Sequence, residues 1–330
     1  MSMIISRTPV RIPLGGGGTD LPAYYEQFEA SILTAAVNRY VFIVVKKHFE
    51  DTVRFSGYHR KEVADSPDQI QHPVVREALR LLDIGPGIEI VTVSDVPANV
   101  GLGTSSSFTV GLLNALHAFK GENPSPRALA QEALTIERVI LKEAGGVQDQ
   151  YVAAFGGVLS LQINTKGDVA IHPLNITADT VAELERRLVF FYTNLQRSAS
   201  DLQSGHVQAI HTSHDGVLES LHEIKRIGLK TKAAFENGQL DRFGRLLDEH
   251  WSCKKRLAGV TNERIDRWYQ TALDAGALGG KLMGAGGGGF LMLYCQPRVR
   301  ERVRGVLVKE QLKEINFRFE ASGSRILLNL

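Results

Sequence analysis

The sequence predicts an α+β protein built in two lobes. Three observations carry this: short β-branched and aromatic runs bounded by breakers, long stretches with helical spacing, and the presence of both in each half of the chain. At 330 residues the chain is long enough for two domains or one body in two lobes. A hydrophobic share of 43% with 22% charged residues places it among ordinary globular proteins rather than disordered ones. The net charge of +2 argues against a dedicated nucleic-acid binder, yet leaves room for a local basic pocket that takes an anion.

The elements follow in order. Met3–Ser6, Val10–Leu14, Ile32–Val37 and Tyr40–Lys46 read as strands, and Ile88–Ser94 alternates apolar and polar residues as a half-buried strand does. Helical spacing sets in from Ser105 to Phe119. It returns over Arg127–Glu143, where Leu129, Ala133, Ile136 and Ile140 form one stripe and Gly145-Gly146 acts as the stop. Val158–Ile163 and Val169–Leu174 read as a hairpin, and Leu188–Thr193 as a further strand. Helices are expected over Ser198–Ala234, Leu240–Ala258 and Asn262–Ala275. The strand Phe290–Cys295, the charged helix Arg298–Lys313 and the strands Phe317–Glu320 and Arg325–Leu328 complete the pattern. A boundary near 175–187 divides the chain into residues 1–178 and 179–330. Cys253 and Cys295 have no metal-ligand spacing and make no disulfide framework. The opening MSMIISRTPVRIP lacks the apolar core of a leader, and no run reaches the ~18 apolar residues of a membrane span, so a cytoplasmic location without a membrane partner is expected.

Three glycine-rich places stand out. Gly15-Gly16-Gly17-Gly18-Thr19-Asp20 is either a flexible loop or backbone that must approach a ligand closely. In Pro97-Ala98-Asn99-Val100-Gly101-Leu102-Gly103-Thr104-Ser105-Ser106-Ser107 a turn runs into a helix that opens on four hydroxyl residues. A serine cap needs only one hydroxyl, so phosphate binding at a helix N-terminus is the better reading. Lys281-Leu282-Met283-Gly284-Ala285-Gly286-Gly287-Gly288-Gly289-Phe290 contains a G-x-G-x-x-G match, but a strand follows it where a dinucleotide site needs a helix. A P-loop fails too, because Ala275 and Leu282 stand where Gly and Ser or Thr belong. A hairpin loop and a backbone wall against substrate both remain.

Two carboxylates matter. Glu137 sits among Ala133, Leu134, Ile140 and Leu141, so it is either paired with a buried arginine or available to a magnesium ion. Asp149 is either the N-cap of a short helix over Gln150–Ala154 or a general base, and only twelve residues separate it from Glu137. His206, His211 and His214 show no metal-binding pattern, and Cys253 reads as core.

Together these places resemble the GHMP kinases. Thr8-Pro9-Val10-Arg11-Ile12 through Asp20, Pro97 to Ser107 and Lys281 to Phe290 match that family's three motifs in order, with Thr104 where Ser is usual. The resemblance implies a GHMP kinase-like fold and an ATP-dependent sugar kinase. It implies ATP phosphates cradled from Gly101 to Ser107, Mg2+ on Ser105 and Glu137, Asp149 as the base in Gly146-Val147-Gln148-Asp149-Gln150, Arg11 beside the reacting hydroxyl, and Asp20 on sugar hydroxyls. The four glycines before Thr19-Asp20, and Tyr192 to Ser200, look like the branch acting on D-glycero-D-manno-heptose 7-phosphate. On that resemblance, Gly16, Gly17, Gly18, Thr19, Gly286 and Gly287 line the sugar site, and Arg197, Lys281 or Arg7 meets the sugar's own phosphate. A fucokinase- or galactokinase-like enzyme and a catalytically silent sugar-binding regulator are the rivals, and a homodimer is compatible with the resemblance.

Overall fold

The first two apolar runs form a single strand. In the computed structural model, which describes residues 3–58, 60–195, 199–211 and 215–330, β1 spans Met3–Gly15 and lies antiparallel to β2, Ala30–Lys47. Pro9 and Pro13 lack the amide hydrogen a ladder needs, and the register shifts next to each of them. The sequence reading split both strands because prolines and polar residues interrupt them. The split is corrected by pairing, which carries each strand through its weak points.

After β1 come α1 (Pro22–Phe28), then β3 (Val53–Gly57), β4 (Arg60–Ala64), α2 (Pro73–Leu81) and β5 (Ile88–Ser94). Next are α3 (Thr104–Phe119), α4 (Pro126–Leu134), a π-helical turn at Thr135–Ile140, α5 (Gln148–Phe155), β6 (Val158–Ile163) and β7 (Val169–Pro173). The remainder is α6 (Ala178–Arg187), β8 (Leu188–Tyr192), α7 (Ala199–His211), α8 (Asp215–Glu236), α9 (Leu240–Lys254), α10 (Glu263–Asp274), β9 (Gly279–Leu282), β10 (Phe290–Tyr294), α11 (Pro297–Lys309), β11 (Lys313–Glu314) and β12 (Arg325–Asn329).

The larger sheet runs β12-β1-β2-β5-β3-β4, with the β6–β7 hairpin attached to β2. The long β2 serves two partners on one edge: residues 41–47 pair with β5 and residues 30–35 with β6. Helix α3 is buried along most of its length and packs on β1, β2, α4 and α5. The smaller sheet, β11-β8-β10-β9, is packed by α9, α10 and α11. Residues on both sides of position 178 share the larger sheet, because β12 returns to pair with β1. Helix α8 packs on β1 and β2, so the halves form one continuous body.

Several expectations are corrected here. The helix expected over Arg127–Glu143 ends as α4 and passes into the π-helical turn. The expected helix Ser198–Ala234 is two helices, α7 and α8. Phe317–Glu320 makes one bridge, Phe319 to Val37, rather than a strand. The short elements α1, β3, β4, α2, α6 and β9 were not foreseen. In β9 two glycines mask the pattern, and pairing with β10 makes it a strand.

Candidate active site

The centre of β1 delivers Arg11 to a cavity of about 370 Å³ walled by the loop after β1, the N-terminus of α3, the start of α5, α9 and the β9–β10 hairpin. Arg11 is buried, and its guanidinium forks onto Asp149: Nε donates to Oδ1 at 2.6 Å and Nη2 to Oδ2 at 2.8 Å. Nη1 donates to the carbonyl of Gly101 at 2.6 Å. A bidentate pair of this kind fixes the plane of the carboxylate as well as its position. Asp149 is therefore not the cap of α5. That helix begins one residue earlier, after Val147, and no side chain caps it. Asp149 keeps a half-open face on the cavity, its side chain being 22% exposed against 8% for Arg11.

The segment before α3 alternates left-handed residues: Asn99, Gly101 and Gly103 have φ of 60°, 80° and 71°. Such alternation turns successive amides to one side and makes an anion cradle, here at the positive end of a 16-residue helix. The helix is capped by Gly103, not by a hydroxyl. The four hydroxyls divide their work. Ser107 Oγ donates to Pro9 and Gly103 carbonyls, and Ser106 Oγ donates to Glu137. Ser105 is exposed at the cavity, and the buried Thr104 Oγ1 has no partner. Two hydroxyls hold structure and two stay available to a ligand.

The loop keeps its place because the C-terminal glycine segment presses against it. A Cβ on Gly101 would stand 2.5 Å from the Met283 carbonyl oxygen, and one on Gly284 would overlap the Gly101 backbone. The β9–β10 hairpin is thus both a hairpin and a wall, which joins the two readings of its sequence.

Glu137 is 1% exposed. Its Oε2 accepts from Ser106 Oγ at 3.0 Å and Gln150 Nε2 at 2.5 Å, while the buried Oε1 has no hydrogen-bond partner. The adjacent Arg138 stands 3.5 Å from Oε2, but its guanidinium spends its hydrogens on the carbonyls of Gly146 and Glu143. Burial pushes the Glu137 carboxyl above its usual range, with Arg138 opposing. An anionic oxygen left without a donor in a cavity suits a divalent cation.

Asp20 is also buried. Oδ1 accepts from the Gly18 amide, and Oδ2 accepts from the amide and side chain of Gln148. Burial and then the nearby Asp149 raise its pKa. Gly146 permits the approach, since a Cβ there would overlap the Asp20 carboxylate.

Of the remaining candidates, Gly17, Gly18, Leu102 and Lys281 line the cavity. Gly16 and Thr19 stand behind it, Thr19 Oγ1 donating to the Gly16 carbonyl. Pro97, Ser107, Gly286 and Gly287 are not among the lining residues; the Gly287 amide donates to Val260. Arg7 lies over the Tyr40 ring and pairs with Glu320, outside the cavity. Arg197 lies outside the described residues. Sequence reading missed Gln148, Gln150, Arg138, His250 and Lys254. For the last two a signal existed: a histidine and a lysine four residues apart on one helix, beside Trp251, with no acid opposite Lys254 one turn away. A wider depression of about 600 Å³ near Asp179 and Asp241 holds none of these residues, and within it Arg187 pairs with Glu183 and Asp241.

Burial, and then Arg11, lowers the Lys254 pKa to about 7. The groups around it, His250, Lys281 and His206, are likewise shifted down by burial. From about pH 7 to its ordinary 10.5, Lys254 holds fewer protons folded than unfolded, so stability rises with pH across that window. Its share of the slope is on the order of 1 kcal/mol per pH unit. Urea unfolding of the ligand-free protein at several pH values checks this. The wild type gains stability across the window, and Lys254→Met is expected to flatten the gain.

Comparison with known proteins places the chain in a family. The family description "GHMP kinases N terminal domain" matches residues 73–157 and "GHMP kinases C terminal" matches residues 231–314. The chain is 31% identical to a D-glycero-alpha-D-manno-heptose 7-phosphate kinase of Campylobacter jejuni, over 98% of both proteins. It is 28% identical to an L-fucokinase/L-fucose-1-P guanylyltransferase of Bacteroides fragilis, over 93% of this chain and 36% of that one. Among solved structures, a D-glycero-D-manno-heptose 1-phosphate kinase of Bacteroides thetaiotaomicron superposes with a TM-score of 0.81 at 28% identity, covering 98% of each chain. A Lactococcus lactis galactokinase in complex with galactose superposes at 0.77 with 18% identity, over 98% of this chain and 95% of that one, a likeness of fold alone.

Proposed function

Because the chain belongs to the GHMP kinases, we propose that it transfers the γ-phosphoryl group of ATP to the anomeric hydroxyl of D-glycero-D-manno-heptose 7-phosphate, giving the 1,7-bisphosphate. The observation that carries the chemistry is the Arg11–Asp149 fork set against the anion cradle. A Cβ placed on Gly103 would lie 3.1 Å from Asp149 Oδ2 and 3.2 Å from Arg11 Cγ, so base and cradle are in contact.

Phosphoryl transfer needs positioning and charge stabilisation more than covalent help from the protein. Asp149, oriented by Arg11, accepts the proton of the attacking hydroxyl. The sugar oxygen bonds to the γ-phosphorus as the bond to the β–γ bridging oxygen breaks, and ADP leaves. Arg11 places positive charge beside the transferring group, and the amides of Gly101 to Ser105 meet the phosphates. Asp20 has donors on both oxygens and retains lone pairs for sugar hydroxyls. Glu137, through its unpartnered Oε1, and Ser105, whose hydroxyl is exposed in the same cavity, would hold a magnesium ion, which would offset phosphate charge.

ADP release with magnesium and ATP across heptose 7-phosphate, unphosphorylated heptose, fucose, galactose and mannose tests this, with ³¹P NMR locating the new phosphate. Two relatives are named for acceptors with the phosphate at opposite ends of the heptose, so heptose 1-phosphate is run beside the 7-phosphate, and the acceptor that turns over decides between them for this chain. Turnover confined to a neutral sugar keeps the kinase and removes the substrate. Ligand binding without turnover on every sugar favours a regulator.

Glu137→Gln checks the metal assignment. The amide keeps both donors to Oε2 but loses the charge, so the magnesium needed for half-maximal activity is expected to rise roughly 10–100-fold. The metal-free variant is expected to melt above the wild type, because a buried, poorly satisfied carboxylate is gone. An unchanged magnesium requirement would remove Glu137 from the site.

A further inference from the structure

Two lysines line the cavity with no carboxylate paired to them among the described residues. Lys281, on β9, is 2% exposed, and its ammonium forms no hydrogen bond or ion pair with any described residue. Lys254, at the end of α9, is 9% exposed and donates to the carbonyls of Leu282 at 3.1 Å and Gly284 at 2.5 Å. One turn earlier on the same face, His250 is 1% exposed and its Nδ1 has no partner. The charge that acts on both lysines is Arg11, another cation. Of the carboxylates lining the cavity, Asp149 is held by Arg11, Asp20 by Gln148 and Gly18, Glu137 by Ser106 and Gln150 through Oε2, and Glu143 lies 4.0 Å from Arg138; among the described residues none forms an ion pair with either lysine.

Burying ammonium groups without anions is strongly unfavourable, so the arrangement is complete only with a negatively charged ligand. A phosphate dianion supplies two charges and acceptor-only oxygens for two ammonium donors and an imidazole. The phosphates of ATP already have the amide cradle at α3, whereas these three side chains come from the C-terminal half. We infer that Lys254, Lys281 and His250 form the subsite for the phosphate that the sugar acceptor already carries. This rests on the proposed reading as a sugar-phosphate kinase and names what selects a phosphorylated sugar over a neutral one.

Burial and then Arg11 lower the Lys254 pKa to about 7, and burial, then Lys254 and Arg11, lower that of Lys281. Free enzyme therefore carries less than full charge there above neutral pH, and a dianion restores it. The other titratable and charged groups lining the cavity are Arg11, Asp20, Glu137, Arg138, Glu143, Asp149, His206 and His250. Substrate binding is accompanied by proton uptake through the subsite.

The test uses full-length wild type, Lys281→Met and Lys254→Met. Steady-state kinetics with heptose 7-phosphate and with the unphosphorylated heptose is combined with calorimetry of heptose 7-phosphate binding in two buffers of different ionisation heat. In each variant KM for the 7-phosphate is expected to rise about 30-fold or more, with KM for ATP and for the unphosphorylated heptose within about twofold. Wild type takes up protons on binding the 7-phosphate above neutral pH, and the variants take up fewer. Methionine fills the same space, so melting temperatures report whether the fold is kept. A rise in KM for ATP with the sugar's unchanged overturns the inference and gives the lysines to the nucleotide. Equal changes with both sugars overturn it as well, leaving only a structural role. Wild-type turnover of the 7-phosphate tests the underlying reading before any variant is compared. A wild type that prefers the unphosphorylated heptose overturns both.

Discussion

Asp149→Asn is expected to lower kcat by roughly 10³-fold, with the affinity for ATP changed by less than about threefold. The asparagine side chain cannot take the acceptor's proton, and its amide nitrogen turns a donor toward the guanidinium of Arg11 where a carboxylate oxygen accepted a bond. Both the base and its orientation are lost in one change. The nucleotide cradle is backbone and is untouched, which is why binding and turnover separate. Rapid-quench measurement of the transfer step, together with ATP titration by calorimetry, reads the two quantities. A parallel loss of ATP binding would mean that Asp149 supports the loop and is not the base.

Gly284→Val is expected to be the most damaging single change in the glycine segment. Gly284 has φ of 71°, which a β-branched residue scarcely adopts. A Cβ there would run into the backbone of Gly101, the residue whose carbonyl anchors Arg11. The expected cost is roughly 2–4 kcal/mol of stability, from strain and the enforced shift of two backbones. KM for ATP rises with it, because the cradle depends on the same contact. Gly288→Ala makes a useful contrast. Its Cβ meets Leu195 rather than the phosphate loop, so it costs stability and spares the nucleotide. Chemical unfolding and ATP kinetics on both variants separate the two effects.

Much of the site was legible in the chain itself. Asp149, Glu137 and the loop from Gly101 to Ser106 carry signals in residue type and spacing, because a phosphate cradle needs glycines with hydroxyls and a buried carboxylate stands out in an apolar helix, whereas Arg11 and Asp20 were marked only by the resemblance of their segment to the GHMP kinases. Other parts were not legible. That Ser106 rather than Ser105 touches Glu137 depends on how α3 is rotated against the π-helical turn, which no local pattern specifies. That Asp149 serves Arg11 rather than capping α5 depends on β1 lying beside α5.

The sequence by itself determined the α+β class, the order of the three glycine segments and the acid–base inventory, since these follow from composition, periodicity and turn chemistry over short windows. Only the tertiary structure decided that β12 closes onto β1, that Gly284 presses on Gly101, and that Lys254 and Lys281 meet without a counter-charge. Each of those is a contact between distant segments. Its free energy depends on what is excluded from water together, and that is a property of the packed fold rather than of any stretch of chain.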